Sequence, residues 1–463
     1  MSSTAQSKPI ELLSANVLDT RFEGFDQATL DNTKNRIIDV IGCLIGGANA
    51  DGNLVLVDLV KEWGGEEEAT ILAHGGKVPA HNAAMVNSVM ARSFEFEVLV
   101  AMVDGVWFPS HISGTTITTA IALGEVRGIN GKELITAILV GDDIAARVLG
   151  ASGFRITRGW DSVGTVSMIG ATATAGRLLG LNRRQMRHAF GIALNQLAGS
   201  FQNAWDGSTA FKLLQGTSAR NGIFSAQLAK AGWTGPEDAL LSKFGYYHLY
   251  TEGCVNPEIL TKDLGKTYYT ECAFKPYPCC RGAHPAIDCA LALVGKHDIK
   301  TEDIEEVVLY APEGVLDSFL GQPFRIGDFP HGNASFNSRY ITASALLRKS
   351  VMLEHFSAES IRDPQINNLI NKIRLAGMTG DPTLNAKLGV KMRDGREFFE
   401  STDAPKGAPV ENPLSKDEII AKFRDNIDFS QTMTRDNAEK VLKLLDKLEE
   451  LDNVNRIVEH LVI

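Results

Sequence analysis

Residues 131–148 read GKELITAILVGDDIAARV, and residues 163–179 read VGTVSMIGATATAGRLL. Apolar and small side chains occupy nearly every face of both stretches at helical spacing. That predicts helices buried on all sides within a large bundle. Residues 31–46, with Asp31 as the candidate N-cap, and residues 78–94, 115–126 and 183–197 read the same way. The many small residues of 78–94 predict close helix packing. Long Val/Ile strand runs are scarce up to about residue 270, so residues 1–270 are expected to form an all-helical domain.

The character changes after Thr270. Residues 305–311 (EEVVLYA) read as a strand preceded by a helix over 285–296. Residues 387–400 (KLGVKMRDGREFFE) read as a hairpin, because Asp394-Gly395 is a pair that accepts positive φ. Helices are expected over 341–350 and 359–373. Residues 271–404 therefore read as a smaller α+β domain, and helices over 415–426 and 434–445 return residues 405–463 to the first domain.

A chain of 463 residues suggests two domains, and 44% hydrophobic with 22% charged residues is ordinary globular composition. No run approaches the roughly 20 apolar residues of a membrane span. The first 14 residues lack the basic flank and apolar run of a secretory signal and read as a short disordered lead, so a soluble cytoplasmic protein is expected. The net charge of −10, without any block of like charges, argues against a nucleic-acid partner. An anionic substrate would need cations concentrated locally. Four of the six cysteines (Cys43, Cys254, Cys272, Cys279, Cys280, Cys289) crowd into 272–289, but without paired C-x-x-C knuckles. Neither zinc nor disulfides are expected.

Three segments could carry chemistry. In residues 274–288 (FKPYPCCRGAHPAID), Pro276 and Pro278 stiffen the backbone around Lys275 and Tyr277, and His284-Pro285 suits a helix start. Lys275 and Arg281 near a helix N-terminus would attract a carboxylate. A proline-rich crossover with a surface lysine and a capping histidine reads equally well. In residues 210–222 (AFKLLQGTSARNG), Lys212 precedes a Gly-x-Ser turn expected to open a helix, with Arg220 one to two turns in. An ordinary helix start with solvated cations is the alternative. In residues 107–116 (WFPSHISGTT), His111 at a helix entry could be a general acid or base, or simply bond its own turn. Glu95 and Glu97 lead into that loop.

Taken together, residues 83–92 (AAMVNSVMAR), 212–222, 227–236 (QLAKAGWTGP), 274–284, 336–340 (FNSRY) and 405–413 (PKGAPVENP) resemble the MmgE/PrpD family in order over nearly the whole chain. The resemblance implies a mainly α fold, a large all-helical domain with a smaller α+β lid domain, assembled as a homodimer. It implies activity without metal or organic cofactor on small polycarboxylic acids, as in 2-methylcitrate dehydratase, cis-aconitate decarboxylase and iminodisuccinate epimerase. Carried over, His111, Lys275, Lys212 and Tyr340 fall on catalytic or substrate-binding positions. Arg220 and His284 lie in the same motifs, and Glu95, Cys280 and Arg281 join them as substrate-binding candidates. Lys212 and Lys275 would form the two halves of a shared cationic pocket.

The departures are specific. The family's D-F-D-D-T is here EFEVL (residues 95–99), and its G-H-P is Ser110-His111-Ile112 with extra residues ahead of it. Its G-W-H-P-T is GWDSV (159–163), so Asp161 stands at a catalytic histidine, as a substitute base or a structural residue. Cys280 stands where the decarboxylases place histidine. The expected function is a 2-methylcitrate dehydratase-like lyase acting beside a carboxylate of a small di- or tricarboxylic acid. An epimerase, a cis-aconitate-type decarboxylase and a non-catalytic carboxylate-binding homologue are the alternatives.

Overall fold

The computed structural model describes residues 8–380 and 385–462. Helices α1 (Pro9–Asp19), α2 (Gln27–Gly46), α3 (Asn53–Trp63), α4 (Ala80–Arg92), α5 (Ile112–Arg127), α6 (Gly131–Gly150), α7 (Ser162–Leu178) and α8 (Arg183–Leu194) come first. They are followed by α9 (Gln202–Asp206), α10 (Ala210–Lys230) and α11 (Tyr246–Tyr250). At the centre, α7 packs against α5, α6 and α10, and α4 against α5 and α10. The glycines permit this: a Cβ at Gly222 of α10 would meet Ala171 of α7 at 2.6 Å, and one at Gly216 would meet Val89 of α4 at 2.5 Å. The acids of GDD are buried with partners, since Asp142 pairs with Arg36, and Arg147 Nε donates to Asp143 Oδ2 at 2.8 Å.

Several boundaries differ from the sequence reading. Asp26, not Asp31, caps α2 by accepting from Thr29 N at 2.8 Å, while Asp31 lies inside the helix. Ser14 belongs to α1 rather than to a lead segment. Lys212 sits in the first turn of α10, and the Gly-x-Ser triplet is helix interior, which puts Arg220 nearly three turns in. The first part of the chain is also not all-helical. It holds a two-stranded sheet, β1 (Ala69–Thr70) with β2 (Lys77–Val78), and the hairpin of β3 (Leu99–Val103) and β4 (Val106–Ser110). Asp104 and Gly105 turn that hairpin with φ of 50° and 77°, the left-handed pair a two-residue turn requires. Strand β5 (Cys272–Ala273) pairs antiparallel with β3, giving the order β4-β3-β5.

The hydrophobic core falls into two main clusters, one drawing on residues between Ile10 and Phe274 and again between Ile419 and Leu461, the other between Cys279 and Met392. In the second, β6 (Ile304–Pro312) lies between β7 (Ile373–Met378), parallel to it, and β8 (Ala386–Met392), antiparallel, with β9 (Glu397–Thr402) on the far edge. Helices α12 (His284–Lys296) and α13 (Ser338–Arg348) cover this region. The helix expected over 359–373 is broken: Asp363 caps a new helix at Pro364, which ends at Ile370, and Ile373 begins β7. Helix α14 (Lys416–Ser430) packs back on α2. The fold is mainly α with a smaller α+β part. Among the described residues, no helix is long and apolar enough to cross a membrane.

Candidate active site

The sheet β4-β3-β5 gathers three distant pieces of chain. Glu95 and Glu97 lie just before β3, His111 follows β4 directly as the first residue of the α5 entry, and Lys275 is two residues past β5. The side chains meet in a buried network. Lys275, fully excluded from solvent, donates through Nζ to the Glu95 carbonyl at 2.6 Å and to Glu95 Oε1 at 3.0 Å. His111 Nε2 lies 3.0 Å from the same carboxylate oxygen, and its Nδ1 lies 2.8 Å from Glu97 Oε1. The second contact is close but not aligned as a hydrogen bond. Arg92, at the end of α4, pairs with Glu95 and reaches Glu97 Oε1 at 3.3 Å.

Burial alone would raise both glutamate pKa values. For Glu95, Arg92, Lys275 and His111 outweigh it and hold the carboxyl well below its ordinary range; for Glu97, His111 and Arg92 do the same more weakly. The His111 ring thus lies between the two carboxylates. Glu95 also adopts φ of 52°, a left-handed conformation rare outside glycine. Such strain persists where surrounding contacts over-determine a residue, and here Arg92, Lys275 and His111 grip its side chain.

This network forms one end of a cavity of about 570 Å³ between the two core clusters. Arg92, Glu95, Ser110 and His111 line it from the first, with Asp161, and Cys280 and Arg281 from the second. Asp161 caps α7, accepting from Val163 N at 2.9 Å. Burial raises its carboxyl pKa, opposed by Arg92 and the Val163 N–H. Cys280 is a protonated thiol, pushed up to about 11 by burial. Arg281, lowered to about 10 by burial, remains a cation and donates to the Lys406 carbonyl at 2.8 Å. Behind it, burial and the Arg281 charge hold His284 well below the usual imidazole range. The neutral ring accepts from Arg281 through Nδ1 at 3.0 Å and donates through Nε2 to the Cys279 carbonyl at 3.3 Å. Among the described residues, no group of three or more His, Cys, Asp or Glu is arranged to hold a metal ion.

Family models of the MmgE/PrpD N-terminal and C-terminal domains match residues 11–257 and 277–448. The chain belongs to the MmgE/PrpD family. Its curated relatives include a cis-aconitate decarboxylase from Mus musculus, 26% identical over 444 residues that span 91% of this chain and 86% of the relative. Another is a cis-aconitate decarboxylase from Aspergillus terreus, 22% identical and spanning 93% of this chain and 91% of that one.

Within this MmgE/PrpD chain the candidate residues divide. Glu95, His111, Asp161, Cys280 and Arg281 line one cavity, with Lys275 directly behind Glu95. His284 supports Arg281 instead of facing the cavity. Lys212 does not line it: its ammonium donates to the Asp51 carbonyl and lies 5.9 Å over the Phe329 ring. Arg220, on α10, also lies outside the cavity lining. Tyr340 is buried in the second core cluster, its hydroxyl donating to the His355 carbonyl and its ring stacked on Phe324. Of the expected shared cationic pocket, His111 and Arg281 face one cavity, whereas Lys275 is committed to Glu95, Lys212 to a backbone carbonyl and Tyr340 to the second core cluster. Arg92 was not singled out from the sequence, and Glu97 was noted only as leading into the His111 loop. An arginine three residues before one glutamate and five before another, ending a helix of small residues, was the available signal.

Proposed function

We propose that this protein is an acid–base lyase that removes a proton from the carbon beside a carboxylate, with dehydration as its reaction. The carrying observation is that two carboxyl groups facing one cavity sit in opposed surroundings: Arg92, Lys275 and His111 hold Glu95 well below its ordinary range, while burial raises the Asp161 carboxyl. Carboxyl groups driven apart in this way are the usual signature of divided acid and base roles. Among the described residues that line the cavity, Arg281 is the cation not paired with a carboxylate within 4 Å, and it takes the substrate carboxylate. Asp161 accepts the proton from the neighbouring carbon. The electron pair left behind forms the carbon–carbon double bond as the carbon–oxygen bond breaks, and the departing hydroxyl leaves as water with a proton from His111. Glu95 and Glu97 lie against the two ring nitrogens of His111, Arg92 and Lys275 keep Glu95 ionised, and Arg92 helps to do so for Glu97.

A second reading, decarboxylation, is supported by the names of the relatives. Against it, Cys280 stands where the resemblance places a decarboxylase histidine, and a thiol raised to about 11 is a poor proton carrier at neutral pH.

The test is incubation with a panel of hydroxy- and unsaturated carboxylic acids in deuterated water, followed by NMR and ultraviolet absorbance. Dehydration gives a new alkene signal, reduced by Asp161→Asn and His111→Gln by about 10²-fold or more each. Carbon dioxide release would replace this reading with decarboxylation. Deuterium uptake without net conversion would replace it with epimerisation. Absence of turnover and exchange with every acid would refute an enzymatic role.

A further inference from the structure

Opposite the charged network, the same cavity is walled by aromatic rings. Phe201 and Trp205 come from the segment around α9, Phe211 from the start of α10, and Phe319 and Phe336 from the second core cluster's side. The rings interlock across the boundary. Phe201 and Phe319 lie 5.4 Å apart between centroids, Phe319 and Phe336 5.4 Å, and Phe211 and Phe336 5.4 Å, all edge-to-face or nearly so. The wall reaches the charged end directly, since the Arg92 guanidinium sits 5.5 Å over the Phe211 ring. It does not close the space: Trp205 keeps 43% of its surface exposed, and Trp205 and Phe319 also line an adjoining cavity of about 390 Å³.

A small polycarboxylate does not explain this wall. Each further carboxylate would need a cation or several donors to replace its hydration. Arg92 and Lys275 are already taken up by Glu95 and Glu97, which leaves Arg281 for one anionic group. A volume of about 570 Å³ lies within the ~300–1,000 Å³ typical of sites for drug-sized ligands, more than a compact acid fills. We infer that the substrate is a carboxylic acid carrying one bulky apolar group, phenyl-sized or larger. Its carboxylate meets Arg281 at the charged end, and its apolar group lies against the wall of Trp205, Phe319 and Phe336. This rests on the reaction proposed above only for the place of the reacting carbon, and the binding geometry stands without it.

The test measures binding by calorimetry and by quenching of tryptophan fluorescence, using matched probes: phenylsuccinate against succinate, and 3-phenylpropanoate against propanoate, with cis-aconitate alongside. The acids bearing a ring are expected to bind about tenfold or more tightly than their ring-less partners, the gain from burying one aromatic group. Phe319→Ala, which opens the wall, should cut that ratio to about threefold or less. Trp205→Ala, at a half-exposed position, should do likewise if the first variant fails to fold. Equal affinities within each pair, or tight binding of cis-aconitate alone, would overturn the inference. The two proposals fail separately. Ring preference without deuterium exchange would sink the lyase reading alone, and exchange on small acids without ring preference would sink this inference alone.

Discussion

Replacing Lys275 by methionine keeps the length and bulk of the side chain and removes its charge. A catalytic lysine pointing into open solvent could be lost at little cost in stability. The geometry predicts otherwise. Lys275 is wholly buried, and its ammonium satisfies the Glu95 carbonyl at 2.6 Å and one Glu95 carboxylate oxygen at 3.0 Å. An orphaned buried carbonyl costs about 1–3 kcal/mol. Stripping a buried carboxylate of its partner costs about 3–5 kcal/mol when no other remains. Here Arg92 and His111 remain, so roughly half of that applies, and the total is about 2.5–5.5 kcal/mol at pH 7. The assay is urea unfolding of the wild type, Lys275→Met, Glu95→Gln and the double variant. Coupling between the two sites should be about 1–3 kcal/mol. Because the Glu95 pKa is depressed in the folded protein, its contribution is complete above the ordinary glutamate range and fades as pH falls through the folded value. The gap between wild type and Lys275→Met should therefore narrow in acid. A single variant within about 0.5 kcal/mol of wild type at pH 7, with no coupling to Glu95, would refute the reasoning.

Other outcomes follow from the same geometry. Asp161, raised above 3.8 by burial, must be ionised to act as a base, so the acid limb of the kcat/KM profile should lie above that value and vanish in Asp161→Asn. Gly105→Ala forces a Cβ into φ of 77° where no atom crowds it, costing about 1–2 kcal/mol, and by disturbing the hairpin that delivers His111 it should reduce activity more than stability. Burial lowers Lys212 from 10.5 to about 8, so between those values the unfolded chain holds the extra proton and stability should rise with pH by about 1–3 kcal/mol. Lys212→Met should flatten that rise in unfolding experiments run from pH 7.5 to 10.5.

Helices were legible because a buried helix writes its period over several turns, as in residues 131–148. The hairpin ahead of His111 was not, although Asp104-Gly105 offers the same turn chemistry that revealed Asp394-Gly395. Its flanks are apolar on both sides, hiding the period-two alternation that exposed strands display. This hairpin ends at Ser110, directly ahead of His111. Among site residues, spacing could single out Lys275 and His111, but not that they meet on one carboxylate oxygen, because the Lys275–Glu95 contact spans 180 positions of chain. The same limit explains Lys212 and Tyr340. Motif position can nominate a side chain, whereas its direction depends on packing against residues far away in sequence.

The three-stranded sheet sets a rule for recombining such proteins. Strand β5 and Lys275 lie between the matched family domains, after residue 257 and before residue 277, and belong to neither. Yet β5 is registered on β3, and Lys275 supplies a counter-charge to Glu95 from the N-terminal half. A chimaera joined at residue 260 would inherit a joint chosen to neutralise another protein's acids. One joined just past residue 275 would carry its own counter-charge along, so the functional seam of the molecule lies some twenty residues beyond the end of its first matched domain.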